Sequence, residues 1–244
     1  MAMNFSSFRA QILRDAEDNG RRWVYRGHAD LSWKLETSYS RFHAKAFGDS
    51  KPFNLDHFQS MLACFIRRAS ELAGESYDRY SLLQKIALAQ HYGVPTPLLD
   101  WSHSPYVATY FAVTDSASFH EKDVNFSVYA MDVWKLAHVG LSQAEQEDLL
   151  AGRGEHFQFV DTESFFSRRI ARQSGCFTYQ NFSGCLQEWK RAQPIDVDVK
   201  KYEVSGSRSQ IIRELELMSI TGGNLFDDLD YIAKDVIQAE LVTR

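Results

Sequence analysis

The chain has few cysteines and no long apolar run, and these shortages exclude two broad classes of protein. Its apolar runs stay far below the roughly 18 residues that a membrane-spanning helix needs, and residues 1–7 lack the charged and apolar regions of a signal peptide. Cys64, Cys176 and Cys185 contain no C-x-x-C pair, so neither a disulfide framework nor a thiol metal cluster is expected. We therefore expect a cytoplasmic protein with unpaired thiols and no membrane contact.

The motifs of several common enzyme classes are missing as well. The sequence contains no G-x-S-x-G elbow, no G-x-x-x-x-G-K-[ST] loop, no G-x-G-x-x-G turn and no H-E-x-x-H pair. The sequence therefore does not indicate a serine hydrolase, a P-loop protein, a Rossmann dinucleotide binder or a zinc peptidase. No bound metal is expected. The net charge of -5 argues against non-specific coating of nucleic acid, although Arg168, Arg169 and Arg172 form a local basic patch.

What the sequence does contain is the composition of an ordinary globular domain. With 44% hydrophobic and 24% charged residues it can bury one substantial core, and we expect a single domain over residues 1–244. Hydrophobic periodicity predicts an N-terminal helix at about residues 4–20 and further amphipathic helices over residues 55–72 and 81–90. The polar, glycine-flanked residues 141–156 predict a variable loop or insertion.

Local signals predict the remaining elements. Helices are expected where N-cap residues precede apolar periodicity, after Ser104-Pro105 and after Ser207. Strands are expected over residues 126–131 and 175–179, and in the apolar run that ends at Arg26. Together these elements predict an α/β or α+β fold in which a small mixed β-sheet is flanked by helices.

Two segments concentrate polar and aromatic side chains in apolar surroundings. In the first, Arg26 stands between Tyr25 and Gly27; its planar guanidinium suits a phosphate or carboxylate, and a glycine lets a ligand approach the backbone. The second covers residues 90–108, where prolines and a glycine hold polar groups on rigid turns. We expect the two segments to form two walls of one pocket. The candidate residues of the second segment are His91, Tyr92, Thr96, Asp100, Trp101 and Ser102.

Each candidate also has a purely structural interpretation. Arg26 could bridge a loop carboxylate, and His91 could cap the carbonyls at the end of a helix. Asp100 could cap the next helix, and Trp101 is of a type that more often lies in a core. Gln173, which follows the basic patch, suits a ribose or a base edge but carries no charge; it could also simply close a loop.

Four separated motifs, in this order, resemble the FRG domain family, which is named for its aromatic-Arg-Gly motif. Residues 25–28 read Tyr-Arg-Gly-His, and residues 89–96 read Ala-Gln-His-Tyr-Gly-Val-Pro-Thr. Residues 98–112 read Leu-Leu-Asp-Trp-Ser-His-Ser-Pro-Tyr-Val-Ala-Thr-Tyr-Phe-Ala, and residues 169–177 read Arg-Ile-Ala-Arg-Gln-Ser-Gly-Cys-Phe. The resemblance extends from about residue 23 to residue 230 and covers nearly the whole chain.

The order of these motifs is also similar, more distantly, to the Arg-Ser-Glu order of ADP-ribosyltransferases. This resemblance implies an ADP-ribosyltransferase-like fold and NAD as the cofactor, with Arg26, Asp100 and Gln173 as catalytic residues. Arg26 would hold an NAD phosphate or ribose, Ser102 or Ser104 would support the nicotinamide half, and Gln173 would take the place of the catalytic glutamate. The further NAD-binding residues would be Tyr25, Gly27, His91, Tyr92, Thr96 and Trp101.

Because Gln173 is neutral, another residue must supply the negative charge that the reaction needs. Because NAD cleavage passes through an oxocarbenium-like state, as glycoside hydrolysis does, a carboxylate is expected beside the sugar. The candidates for that carboxylate are Asp100, Glu36 and Glu163.

The resemblance also implies a biological role. The acceptor of ADP-ribose would be a macromolecule, either a nucleic acid such as RNA or a protein. The chain would then be the toxin of a toxin-antitoxin or antiphage defence system, with an antitoxin as partner. Two alternatives stay open: a non-catalytic module that binds a nucleotide or nucleic acid in the same pocket, and a hydrolase or nuclease. The last requires the side chains of His91 and Asp100 to converge as an acid-base pair.

Overall fold

The protein is described by a computed structural model over residues 2–17, 20–48, 52–115, 122–138, 155–161, 168–192, 197–226, 231–233 and 235–236. Its strands are β1 Met3–Asn4, β2 Trp23–His28, β3 Leu98–Ser102, β4 Asp123–Asp132, β5 His156–Val160, β6 Gly175–Asn181 and β7 Val199–Ser207. They form one seven-stranded mixed sheet in the order β1-β7-β4-β2-β3-β6-β5. Only β1 and β7 pair in parallel among these strands; every other neighbouring pair is antiparallel.

Helices cover both faces of the sheet. They are α1 Phe5–Ala16, α2 Ser38–Phe47, α3 Asp56–Ala73, α4 Leu82–His91, α5 Pro105–Thr114, α6 Trp134–His138, α7 Arg168–Arg172, α8 Leu186–Ala192, α9 Arg208–Leu217 and α10 Gly222–Phe226. One core packs α1, α5 and α9 on β4 and β7, around Phe8, Phe126 and Leu215. Another packs α2, α3 and α4 on β3 and β6, around Tyr39 and Tyr179, on the same face of the sheet. A third core packs α6 and α8 on the opposite face, around Met131 and Phe182. The predicted mixed α/β architecture is confirmed, with a larger sheet than the small one expected.

The sheet divides between β2 and β3. Strand β2 pairs with β4 along its whole length, and β3 pairs with β6 along its whole length. Between β2 and β3 themselves, which are both fully described, the register contains the single pair Tyr25–Ser102. Continued pairing would set Gly27 opposite Asp100, but the strands diverge before that point. The two half-sheets therefore share one edge contact and open a gap beyond it.

Gly27 stands where helix α5 presses against the diverging strand. A Cβ at this position would lie 1.8 Å from the carbonyl oxygen of Ala108 and 2.8 Å from its carbonyl carbon. No side chain fits there, because atoms of a helix backbone cannot yield as a flexible side chain can. This close contact with α5 gives Gly27 a packing role that the sequence did not indicate, and its expected place beside a ligand stays a prediction.

The helix signals read from the sequence are confirmed at three starts. Ser104 caps α5, its hydroxyl accepting the N–H of Val107 at 3.3 Å, and Pro105 is the first helical residue. Ser81 forms a reciprocal capping box with Gln84 at the start of α4. The expected helix after Ser207 is α9. The Ser104 and Ser81 caps satisfy backbone donors that have no partner inside the helix, whereas the side chain of Ser207 makes no cap bond to α9.

Several expected boundaries are wrong. Helix α1 ends at Ala16, before the predicted end near residue 20. Strand β2 passes through Arg26 to His28, because β4 supplies backbone partners along that whole length. Gly222 and Gly223 begin α10, where both N–H groups donate to the carboxylate of Asp235. Most of the predicted loop over 141–156 lies outside the described residues, and its last residue, His156, already belongs to β5.

The three cysteines are free, as the sequence predicts. Cys176 and Cys185 are buried and Cys64 is exposed. Burial raises the pKa of the Cys176 and Cys185 thiols, which keeps them protonated. Within the described part of the chain, no helix is long and apolar enough to cross a membrane.

Replacing Gly27 by alanine is expected to destabilise the fold by about 3 kcal/mol or more, because α5 and β2 must separate to admit the methyl group. Gly74→Ala is the matched control: it has a left-handed φ of +68 but no atom near the new Cβ. That control should lose only about 1 kcal/mol. Urea unfolding of both variants checks the comparison, and equal losses would contradict the contact with Ala108.

Candidate functional site

A cavity of about 720 Å³ occupies the gap between β2 and β3. It is bordered by β2, β3, the end of α4, the start of β6 and one side of α5. Its volume falls within the roughly 300–1,000 Å³ that small-molecule sites occupy. The cavity is therefore large enough for a ligand, and it lies where the two sequence segments were expected to meet.

Arg26 lies in this cavity and spans the split in the sheet. Its Nη1 donates to the backbone carbonyl of Asp100 at 2.8 Å and lies 3.6 Å from the Asp100 carboxylate, while its Nε donates to Nε2 of His28 at 3.0 Å. Burial lowers the pKa of Arg26, and the nearby Asp100 charge opposes this effect. Among the described residues, Nη2 has no hydrogen-bond partner, so this nitrogen of the guanidinium is available to donate to a ligand.

His28 holds the other side of the Arg26 guanidinium. The ring is only 4% exposed, and its Nδ1 lies 3.3 Å from the carbonyl oxygen of Trp33. Because Nε2 accepts from Arg26, Nδ1 carries the proton and donates to Trp33, and the ring is neutral. Burial, reinforced by the charge of Arg26, lowers the pKa of His28 to about 3. Sequence reasoning noticed this histidine in the first motif but assigned it no role.

Asp100 faces solvent and is oriented by a polar chain from α4. Gln90 donates its Nε2 to the Asp100 carboxylate at 2.5 Å, and its Oε1 accepts the hydroxyl of Thr96. The Asp100 side chain remains 61% exposed, whereas Thr96 is fully buried. Thr96 therefore supports the site from behind and does not line the cavity. Gln90, which sequence reasoning passed over, lines it; its place one residue before His91 was the available signal.

Ser102 and Gln173 meet at the far end of the cavity. The Ser102 hydroxyl donates to the backbone carbonyl of Gln173 at 2.7 Å and accepts the N–H of Ser104 at 3.0 Å. The Gln173 side chain donates to the carbonyl of Leu225 at 3.4 Å, and both Ser102 and Gln173 line the cavity. Ser102 thus ties the β3–α5 turn to the turn before β6, and α10 holds the Gln173 amide.

Aromatic side chains surround the cavity mouth. Tyr92 is 68% exposed and its ring centroid lies 4.8 Å from that of His91, in an edge arrangement. Trp33 and Tyr80, which the sequence did not single out, also line the cavity and are about two-fifths exposed. Such planar, half-exposed surfaces are suited to stack on flat ring systems. Among the contacts described for the Asp100 carboxylate are the hydrogen bond from Gln90 and the ion pair with Arg26.

Two further predicted residues border the cavity but belong to the core. Tyr25 is 5% exposed, and burial raises its pKa to about 12. Trp101 is buried and donates its indole N–H to the hydroxyl of Thr178 at 3.0 Å. Their contribution to the site is the rigid frame, in agreement with the structural interpretation of Trp101.

The remaining sequence candidates lie elsewhere. The carboxylate of Glu36 accepts from Ser40 at 2.8 Å, away from the cavity lining. Glu163 and the side chains of Arg168 and Arg169 lie outside what the structure describes, while Arg172 donates to the carbonyl of Asn224. No cluster of three metal-ligating side chains occurs among the residues described.

Comparison with known protein families identifies part of the chain. Residues 21–121 match the family model of the FRG domain. This range contains β2, α4, β3 and α5, and so includes Arg26, Gln90 and Asp100 but not Gln173. Comparisons with curated proteins and with solved structures give no match.

Ser102→Ala is expected to destabilise the protein by about 1–3 kcal/mol, because it leaves the N–H of Ser104 and the carbonyl of Gln173 without a partner. Ser127 provides the control, since its buried hydroxyl has no hydrogen-bond partner among the described residues. Ser127→Ala should be neutral or stabilising. Thermal or urea unfolding measures the stability of both variants. A Ser102→Ala variant as stable as Ser127→Ala would contradict the stabilising role of the Ser102 hydroxyl between Ser104 and Gln173.

His28 should make stability depend on pH. Its pKa is about 3 in the folded protein against 6.5 when unfolded, so between these values the unfolded chain binds the extra proton. The His28 contribution is therefore complete above pH 6.5 and declines as pH falls, by up to about 1.4 kcal/mol per pH unit. Arg41 and Lys201 also face this ring and act in the same direction.

The difference in unfolding free energy between wild type and His28→Gln isolates this effect, because glutamine does not titrate. We expect the wild-type advantage to shrink from pH 6.5 toward pH 4, as measured by urea unfolding at each pH. A difference that stays constant over that range would mean that His28 is protonated in the folded protein.

Proposed function

We propose that the protein is an NAD-dependent ADP-ribosyltransferase that modifies a macromolecular acceptor. The observation that carries the proposal is the convergence of Arg26, Ser102 and Gln173 on one cavity, together with the exposed carboxylate of Asp100. These residues come from three separated motifs, and their order is the one that resembles the Arg-Ser-Glu order. In this role the chain acts as the toxin of a toxin-antitoxin or antiphage defence system.

The donor NAD fits the chemistry of the cavity. Its pyrophosphate would bind the Nη2 side of Arg26, because a guanidinium matches phosphate oxygens in charge and geometry. Its two ring systems are of the kind that the half-exposed rings of Trp33, Tyr80 and Tyr92 can stack on. The cavity volume of about 720 Å³ is sufficient for a ligand of this class.

The proposed reaction breaks the bond between C1′ of the nicotinamide ribose and the nicotinamide nitrogen. Nicotinamide leaves with the electron pair of that bond, and a nucleophilic oxygen or nitrogen of the acceptor forms the new bond to C1′. Asp100 is the described carboxylate of the cavity nearest Arg26, and it would stabilise positive charge on the ribose and take the acceptor proton. Gln173, being neutral, would hydrogen-bond a ribose hydroxyl.

The neutral charge of Gln173 favours a second candidate, a module that binds a nucleotide without chemistry. The same Arg26 fork and aromatic mouth would serve recognition alone. The hydrolase alternative requires a His91–Asp100 pair, and the contacts described for the Asp100 carboxylate are those with Gln90 and Arg26.

Labelled NAD, incubated separately with RNA, DNA and protein extracts, distinguishes transfer from binding. The transferase should label one class of acceptor, and Arg26→Lys, Asp100→Asn and Gln173→Ala should each lower the labelling about 100-fold or more. Arg26→Lys fails because a point charge cannot replace the fork.

Matched controls are Arg67→Lys and Asp56→Asn, two surface positions on α3 outside the cavity lining. Both should keep wild-type labelling. Saturable NAD binding without label transfer or NAD consumption would reject the transferase and favour the module that only binds a nucleotide. Absence of NAD binding would reject NAD as the ligand for either function.

A further inference from the structure

Two of the three nitrogens of the Arg26 guanidinium are already bonded inside the protein. The hydrogen bond from Nε to Nε2 of His28 is 3.0 Å long, and Nη1 is held by the carbonyl of Asp100 at 2.8 Å. Two bonds on one planar group restrict rotation about the last torsions of the side chain. What remains for an incoming anion is the Nη2 side, which has no partner among the described residues.

His28 is itself fixed from three directions. Nδ1 donates to the carbonyl of Trp33, which also accepts the hydroxyl of Tyr129 at 3.0 Å. The ring packs edgewise on both aromatic side chains, with centroids 5.9 Å from Trp33 and 5.2 Å from Tyr129. This support defines which nitrogen carries the proton, and thereby which nitrogen faces Arg26.

The charge of the residue that accepts the Arg26 Nε–H, His28, affects anion binding as much as its geometry does. A carboxylate at this position would hold the guanidinium equally well but would neutralise it, and an anionic ligand would then gain less from binding. A neutral imidazole acceptor orients the fork while preserving its positive charge. Asp100, the remaining acidic neighbour, is 61% exposed, so water screens its effect on Arg26.

We propose that His28 is a positioning residue, a neutral hydrogen-bond acceptor that aims the Nη2 side of Arg26 at an anionic group of the ligand and leaves its charge intact. This role deepens the proposed function, on which it rests for the choice of NAD as ligand. His28 does not touch the ligand and acts through Arg26. The role predicts that an uncharged acceptor at position 28 preserves function and that an apolar ring of similar shape does not.

The first test needs no ligand. In ¹⁵N NMR spectra, the Arg26 Nε–H, assigned by its loss in Arg26→Met, should exchange slowly with solvent in wild type and His28→Gln and rapidly in His28→Phe. His43→Phe, the same replacement of another 4%-exposed histidine in a separate core, is the control and should leave the signal unchanged. A protected Nε–H in His28→Phe would overturn the proposal.

If His28→Phe does not fold, the wild-type spectrum still decides. His28 should be the Nδ1–H tautomer at neutral pH, because Nε2 accepts from Arg26. A proton found on Nε2 would overturn the proposal without any variant.

The second test is a double-mutant cycle on NAD affinity, measured by calorimetry with His28→Phe, Arg26→Met and the double variant. His28→Phe should weaken NAD binding at least about 10-fold in the wild-type background and have little effect beside Arg26→Met. Equal losses in both backgrounds would mean that His28 acts independently of Arg26 and would overturn the proposal. If wild type does not bind NAD, the proposed donor fails, and the NMR result alone decides the role of His28.

Discussion

The hydrogen bond from Arg26 to the carbonyl of Asp100 is the contact on which the site depends, because it crosses the gap where the half-sheets part. In a continuous antiparallel ladder, the Asp100 carbonyl would be available to a backbone N–H of β2. Here a side chain from β2 takes that place. The carbonyl is satisfied, the strands stay apart, and a cation is held at the bottom of the resulting cavity.

The cavity walls are held by polar groups that satisfy one another. The Thr96–Gln90–Asp100 chain orients the carboxylate, and the Ser102 hydroxyl joins the turn before α5 to Gln173. Because buried polar groups without partners are costly, such networks favour one arrangement over its alternatives. The site is therefore positioned by the same bonds that stabilise the turns around it, which makes it rigid before any ligand arrives.

How much the sequence predicts depends on the range of the interactions involved. Ser104-Pro105 and the amphipathic pattern of α3 are local signals, and they predicted helices correctly. The divergence of β2 from β3 depends on strands distant in the chain, and no local pattern reports it. Arg26 was expected to bridge a loop carboxylate or to line a pocket. It lines the cavity, and its bond across the gap goes to the backbone carbonyl of Asp100, a strand residue. The roles of His28 and Gln90 depend on which atoms meet across the cavity, which residue type alone does not define.

The single Tyr25–Ser102 ladder pair leaves the seam between β2 and β3 to be closed mainly by side chains. In a full ladder the bonds between strands come from the backbone and do not depend on residue type. Here a bond across the seam belongs to the guanidinium of Arg26, so it depends on the side chain at position 26. A substitution of Arg26 therefore removes a contact of the candidate site and a bond between two strands at once, and at this position the stability of the sheet and the use of the cavity cannot vary independently.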